Sequence, residues 1–120
     1  MNNSFPKDCR LLSKKDFNSL RSDSTRLRSG FLVFIYKENS LGKPRLGLAI
    51  SRKFGNAVKR NDLKRRVREK FRTTNFVGNN LDILVTVNQK AWSQRSDDGS
   101  RVETSLRKDI ERGFSSLVSL

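Results

Sequence analysis

The segment from Asn56 to Arg72 constrains the fold most strongly, because its residues predict one long helix with two chemically different faces. No proline interrupts the segment, and asparagine is a favoured residue at a helix N-cap. At 3.6 residues per turn, Leu63, Val67 and Phe71 fall on one apolar face. The rest of the chain must therefore supply an apolar surface on which this face is buried.

A second face of the same helix carries an excess of positive charge. Between Arg52 and Arg72 the chain has ten lysines and arginines and two carboxylates, a net charge of +8 out of +14 for all 120 residues. Like charges on neighbouring turns destabilise a helix by about 0.2–0.5 kcal/mol per pair, which favours selection for a phosphate-rich partner. The alternative is a basic face that is merely solvated. The residues at i, i+4, i+7 and i+11 on this face are Asn61, Arg65, Arg68 and Arg72.

The composition of the whole chain also favours a polyanionic partner. Its 26 lysines and arginines outnumber 12 aspartates and glutamates, and a hydrophobic content of 34% supports one core. No run approaches the roughly 18 apolar residues of a membrane-spanning helix, and residues 1–10 lack the pattern of a secretory signal. The single cysteine and the lack of histidine exclude an internal disulfide and the usual zinc sites. We expect one cytoplasmic domain over residues 1–120, with residues 1–10 as a flexible arm.

Helix and strand periodicities on both sides of the basic helix predict an α+β fold. The predicted elements are a helix at residues 12–21, strands at residues 31–36, 45–51 and 81–87, and a C-terminal helix from residue 100. Residues 39–44 predict a hairpin connection between the first two strands, and residues 88–99 predict a loop. Residues 31–36 are apolar on both faces, so the first strand needs an apolar contact on each side.

The residues around the basic helix resemble the signature region of bacterial ribonuclease P proteins. The similar segment is RKFGNAVKRNDLKRRVREKFR at residues 52–72. The similarity extends upstream through RLGLAIS at residues 45–51 and LLSKKDF at residues 11–17, and downstream through residues 82–87. It implies a single-layer four-stranded sheet packed with three helices in the order α-β-β-β-α-β-α, including a brief strand near residues 25–28. It also implies a left-handed βαβ crossover, as in the ribosomal protein S5 domain 2-like fold.

The resemblance further implies an accessory role in ribonuclease P, the endoribonuclease that removes the 5′ leader from precursor tRNA. In that family a large RNA subunit with bound Mg²⁺ performs the catalysis, so the protein is expected to supply no catalytic residue, no metal ligand and no cofactor of its own. The expected partners are the catalytic RNA and the leader of the precursor. The protein is expected to be a monomer within this ribonucleoprotein and to bind no membrane.

Residues that match the family's RNA-subunit contacts lie on the basic helix and just before it. They are Arg52, Lys53, Asn56, Arg60, Asn61, Lys64, Arg65, Arg68 and Arg72. The family usually has a basic residue at the third signature position, where this chain has Asp62. We expect Asp62 either to pair with a neighbouring cation or to lie near the metal-rich interface. Because Arg60 falls near the apolar face, we also expect the first turn of the helix to project beyond the sheet.

A second surface implied by the resemblance is a groove between the first helix and the open face of the sheet, where the single-stranded leader lies. Aromatic side chains stack on bases of any identity, which suits a leader of variable sequence. The residues expected to bind the leader are Phe17, Arg21, Phe34 and Tyr36. In this arrangement Leu32, Phe34 and Tyr36 face the groove and Phe31, Val33 and Ile35 face the core. Gly47 and Ala49 on a neighbouring strand leave a trough. The alternative for Phe17 is simple packing against the first helix.

Two other classes of protein share part of this pattern. A self-sufficient metal-dependent nuclease needs convergent carboxylates, and the chain offers only the Asp97-Asp98 pair, for which solvation or helix capping is a simpler role. A general ribosomal or DNA-packaging protein shares the charge but does not require the signature beside a strand-lined apolar groove.

Overall fold

The computed structural model describes residues 18–20, 23–76, 80–95 and 99–119, with side chains from residue 102 onward in the last range. The strands are β1 (Thr25–Ser29), β2 (Leu32–Glu38), β3 (Arg45–Ala49) and β4 (Leu81–Val87). The helices are α1 (residues 18–20), α2 (Ala57–Thr73), α3 (Gln89–Ser93) and α4 (Gly99–Val118), with a 3₁₀ turn at Arg52–Phe54. These elements confirm the α+β class and the additional strand near residues 25–28.

The four strands form one mixed sheet in the order β1-β2-β4-β3. β2 is antiparallel to both β1 and β4, whereas β3 is parallel to β4, so α2 connects two neighbouring parallel strands. This arrangement confirms the βαβ unit, and its left-handed crossover stays a prediction.

The hairpin expected at residues 39–44 is wrong, because β4 lies between β2 and β3. Ile83, Leu84 and Val85 of β4 are all buried, so this strand occupies an inner position in the sheet. The connecting segment is instead fastened to the start of β4: the Asn39 amide donates hydrogen bonds to the Lys43 carbonyl oxygen at 3.0 Å and to Asp82 Oδ1 at 2.8 Å.

One face of the sheet packs under α2 and α4 to form the core. Phe34 of β2 is 0% exposed, and its ring meets Phe114 of α4 edge to face at 5.3 Å between centroids. Gly113 allows this approach, since a β-carbon at that position would collide with the Phe34 ring. On the neighbouring strands, Leu46 and Val85 are buried in the same cluster.

The faces of β2 are therefore the reverse of those expected. Leu32, Phe34 and Tyr36 belong to the core face, whereas Val33 and Ile35 lie on the opposite face. A shift of one residue exchanges the two faces of a strand, and apolar residues on both faces give no periodic signal to fix the choice. Here the strand begins at Leu32, because Gly30 and Phe31 form the turn after β1.

The loop expected at residues 88–99 is also wrong in part, because Gln89–Ser93 forms the short helix α3. Asn88 caps it by accepting a hydrogen bond from the Ala91 backbone N–H at 3.1 Å. Trp92 is buried, stacks on Phe54 at 4.5 Å and donates its indole N–H to the Phe54 carbonyl oxygen at 3.0 Å. This contact anchors the 3₁₀ turn that precedes α2.

A buried carboxylate fastens the β1–β2 turn to α4. Asp109 is 5% exposed and accepts a hydrogen bond from the Phe31 backbone N–H at 2.9 Å. Ser29 donates its hydroxyl to the Asp109 carbonyl oxygen at 2.8 Å. Gly30 adopts a φ of 59°, and a side chain there would also meet the carboxylate. Burial raises the pKa of Asp109, although the Phe31 N–H and the charge of Arg112 partly offset the effect.

The raised pKa of Asp109 predicts a specific pH dependence of stability. Since burial disfavours the ionised form, the free energy of unfolding should fall as the pH rises above the ordinary value of 3.8 and through the raised pKa. Asp109→Asn keeps an oxygen that can accept from Phe31 and does not ionise. Wild type should therefore lose stability between about pH 4 and about pH 7, whereas the variant should not, so the variant should gain relative to wild type as the pH rises; urea unfolding at the two pH values measures this. A constant difference between the two proteins would contradict the argument.

The assignment of the two sheet faces makes a second prediction about stability. Phe34→Ala should lower the free energy of unfolding by about 3–5 kcal/mol, because it removes a core ring and leaves a cavity. Val33→Ala, on the half-exposed opposite face, should cost much less. Equal losses for these two variants in urea denaturation would show that the faces are assigned incorrectly.

Candidate nucleic-acid interface

The start of α2 is fixed by its cap. Asn56 accepts a hydrogen bond from the Lys59 backbone N–H at 3.0 Å, which satisfies one of the free donors at the helix N-terminus. The side-chain oxygen of Asn56 is thus used within the protein, and the residue itself is exposed. Its expected contact with the RNA subunit stays a prediction.

The apolar face of α2 is buried as its periodicity predicts. Leu63, Val67 and Phe71 are 3%, 0% and 6% exposed, and all three belong to the main core. Burying three such side chains contributes about 1.5–3 kcal/mol each. This burial sets the rotation of the helix about its own axis and so determines which of its side chains reach solvent.

The cationic strip of α2, defined as Asn61, Arg65, Arg68 and Arg72, is exposed along its whole length. At a rise of 1.5 Å per residue it extends for about 16 Å. Arg60, which falls near the apolar face, and Lys64 are partly buried, and the expected projection of the first turn beyond the sheet stays a prediction. The sheet does not cover the strip, so its guanidinium groups are available to a polyanion.

Two further cations precede the helix. Arg52 and Lys53 are exposed on the 3₁₀ turn, which Ser51 caps by accepting a hydrogen bond from the Lys53 backbone N–H at 3.1 Å. The stacking of Phe54 on Trp92 of α3 holds the turn in place. The positive surface therefore continues from the strip onto a rigid turn.

Asp62 is paired with its neighbours, which is the first of the two expected alternatives. Its Oδ1 accepts a hydrogen bond from Arg65 Nη2 at 2.8 Å, and its Oδ2 lies 3.0 Å from Arg66 Nε. The second contact is an ion pair without the alignment of a hydrogen bond. The hydrogen bond from Arg65, together with the charge of Arg66, holds the pKa of Asp62 below its ordinary value.

On the opposite face of the sheet, the described part of α1 packs over the middle strands. Leu20 of α1 is 1% exposed and packs on Ile35 and Leu84. Lys37 at the end of β2 donates a hydrogen bond to Ser19 Oγ at 3.0 Å, which ties α1 to the sheet. Among the described residues, the strand positions on each side of this helix end include exposed side chains such as Arg26 and Ala49.

The two sides of the open face differ in chemistry. Toward β1 the register places Arg26 and Arg28 beside Ile35 and Val33, and both arginines are exposed. Toward β3 the face begins with an ion pair between Arg45 and Asp82, 2.7 Å apart, and continues with small or short side chains. These residues are Gly47, Ala49 and Thr86. Gly47 is buried and Ala49 exposed, and their strand adjoins β4 and not β2; the expected trough at these two residues stays a prediction.

Two of the four residues expected to bind the leader are wrongly placed. Phe34 is completely buried in the core, and Tyr36 packs against the same core, so neither ring is free to stack on a base in the groove. Phe17 and Arg21 lie outside the described residues. The side chains on the open face are those of Val33, Ile35 and Leu84. Sequence reasoning assigned Val33 and Ile35 to the core and did not single out Leu84.

Within the described ranges, no helix combines the length and apolar character needed to cross a membrane. In the same ranges, no three histidine, cysteine, aspartate or glutamate side chains are grouped as metal ligands. Asp97 and Asp98, the carboxylates considered for a nuclease site, lie outside the described residues.

Comparison with known proteins agrees with this architecture. A family model described as Ribonuclease P matches residues 5–112. The Ribonuclease P protein component of Legionella pneumophila strain Corby is 40% identical over 109 residues, which cover 90% of this chain and 91% of that protein. The component of Thermotoga petrophila is 37% identical over 91 residues, covering 75% and 78% of the two chains.

Solved structures show the same fold. The RNase P protein from Thermotoga maritima, in complex with 1-(4-fluorophenyl)-2-thiourea, superposes with a TM-score of 0.71 at 30% identity, covering 89% of this chain and 95% of that chain. The Staphylococcus aureus RNase P protein gives a TM-score of 0.66 at 26% identity, covering 88% and 94%. Sequence and fold therefore agree over nearly the whole length, and the chain belongs to the ribonuclease P protein family.

Proposed function

We propose that this chain is the RNA-binding protein subunit of ribonuclease P, which assists a catalytic RNA in removing the 5′ leader from precursor tRNA. The observation that carries the proposal is the exposed cationic strip of α2, in a chain that belongs to this family. Catalysis belongs to the RNA and its Mg²⁺ ions. The protein acts in the cytoplasm as a monomer within the ribonucleoprotein.

In this proposal the cationic strip and the turn before it bind the backbone of the RNA subunit. The contacts are those of Arg52, Lys53, Asn56, Arg60, Asn61, Lys64, Arg65, Arg68 and Arg72. Each guanidinium can pair with a phosphate through two hydrogen bonds, and each phosphate neutralised releases condensed counterions. The rigid placement of the strip by a buried helix face lowers the entropic cost of binding.

The leader of the precursor lies on the open face of the sheet beside α1. In this proposal Gly47, Ala49 and Thr86, which are neighbours on β3 and β4, line the leader trough, and Ile35 and Leu84 lie at its inner edge beside Leu20. Bases of any identity can lie against such a surface, and Arg26 on the other side of α1 can meet phosphates. Stacking by Phe17 and Arg21 is part of this proposal, whereas Phe34 and Tyr36 act from the core as support.

The RNA-subunit contact is tested by removing two charges from the cationic strip. Arg65→Gln combined with Arg68→Gln should weaken binding to ribonuclease P RNA by about tenfold or more. It should also reduce the slope of log K against log salt by about two, because two phosphate contacts are lost. Filter binding at several salt concentrations measures both quantities.

The matched control is Arg107→Gln combined with Lys108→Gln, which removes the same charge from exposed positions on α4. If the control weakens binding as much as the α2 variant does, net charge and not the strip governs assembly. The purified wild-type protein without RNA should also leave precursor tRNA uncut, since cleavage by the protein alone would indicate a nuclease.

The leader contact is tested by placing a carboxylate in the trough. Ala49→Glu, at an exposed strand position, should weaken binding of precursor tRNA to the reconstituted holoenzyme several-fold through repulsion of leader phosphates. Binding of mature tRNA, which lacks the leader, should be unchanged. Ser40→Glu in an exposed loop is the control for charge. Equal losses for both tRNAs would remove the trough from the proposal.

A further inference from the structure

Asp62 is an anion placed inside a surface that otherwise favours anionic partners. α2 contains only one other acidic residue, Glu69, whose nearest carboxylate oxygen is 3.9 Å from Arg65 Nη1. Asp62 is much closer to its partners, at 2.8 Å from Arg65 and 3.0 Å from Arg66. It therefore interacts with two of the helix's cations at once.

The two partners of Asp62 differ in their freedom. The Arg65 side chain is 63% exposed and belongs to the cationic strip, so it can turn toward an external phosphate. The Arg66 side chain is 31% exposed, its Nε is buried, and it lines a cavity between α2 and α4 together with Glu103 and Leu106. Arg66 thus holds the carboxylate in position, while Arg65 is the guanidinium for which Asp62 and an RNA phosphate compete.

This competition affects different ligands unequally. A polyanion that offers only phosphates must draw Arg65 away from Asp62 and then remain close to an ionised carboxylate. An exposed ion pair contributes a factor of about 1.5 to 5 to an equilibrium constant, so the penalty is modest but measurable. A folded RNA can instead place a hydrogen-bond donor, such as a 2′-hydroxyl, opposite the carboxylate and retain the pair.

We propose that Asp62 is a specificity-determining residue that lowers the affinity of the cationic strip for unstructured polyanions while being accommodated by the folded RNA partner. It acts by occupying Arg65 in an internal ion pair anchored by Arg66. This inference rests on the proposed function for the identity of the folded RNA, but not for the effect on unstructured polyanions.

The test compares Asp62→Asn with wild type on two ligands, a deoxyuridine oligonucleotide, which lacks 2′-hydroxyls, and ribonuclease P RNA, over a range of salt concentrations. Asparagine keeps an oxygen for Arg66 and removes the charge that holds Arg65. The oligonucleotide should bind about two- to fivefold more tightly, with a salt slope steeper by about 0.7, since one more phosphate is neutralised. Binding to ribonuclease P RNA should change by less than about twofold, so the preference for that RNA falls.

Two variants isolate the mechanism. Glu111→Gln changes the net charge equally at an exposed site on α4 and should leave both affinities nearly unchanged. In an Arg65→Gln background, Asp62→Asn should lose its effect on the oligonucleotide, because the cation it releases is gone. Thermal unfolding confirms that each variant is folded.

The outcomes separate the inference from the proposed function. Suppose that wild type prefers ribonuclease P RNA. The role of Asp62 is then overturned if Asp62→Asn binds the oligonucleotide with the same affinity as Glu111→Gln, or if its affinity rises equally for both ligands. If wild type shows no preference for ribonuclease P RNA, the proposed function fails, while the oligonucleotide and the Arg65 background still measure the competition.

Discussion

The burial of one face of α2 is the constraint on which the rest of the structure depends. Leu63, Val67 and Phe71 are nearly inaccessible, so the helix cannot rotate about its axis without exposing apolar surface. Arg65 and Arg68 are consequently held toward solvent. A helix with this charge would gain little stability alone, since its like charges repel, and the core provides the free energy that keeps them together.

Both faces of the sheet can receive other elements, because β2 and β4 are apolar on both faces. One face receives α2 and α4, and Phe34 with Phe114 forms the contact between sheet and helix there. The other face receives the described end of α1 through Leu20, and small side chains such as Ala49 are accessible on the same face. A single layer of strands thus supports the packed core on one face and the proposed leader surface on the other.

The helices with clear periodicity could be predicted from the sequence, because apolar residues recur once per turn. The same residues define the buried face of α2, so the exposure of the cationic strip on another face could be predicted as well. The faces of β2 could not be predicted, since its partner β4 is separated from it by more than forty residues and both faces of β2 are apolar.

Helix α3 was missed because its five residues are too few to show a period. Its buried Trp92 was the available signal. The pairing of Asp62 was one of two alternatives, which only distances could separate.

Arginine-specific chemical modification, read by mass spectrometry, tests the central claim most directly. Wild-type protein is treated with phenylglyoxal, alone and with ribonuclease P RNA at physiological ionic strength. The account predicts that the RNA protects Arg65, Arg68 and Arg72, whereas Arg107 on α4 reacts equally in both samples. Protection that is the same at Arg107 as along α2, or no protection on α2, would contradict the assignment of this face to RNA binding.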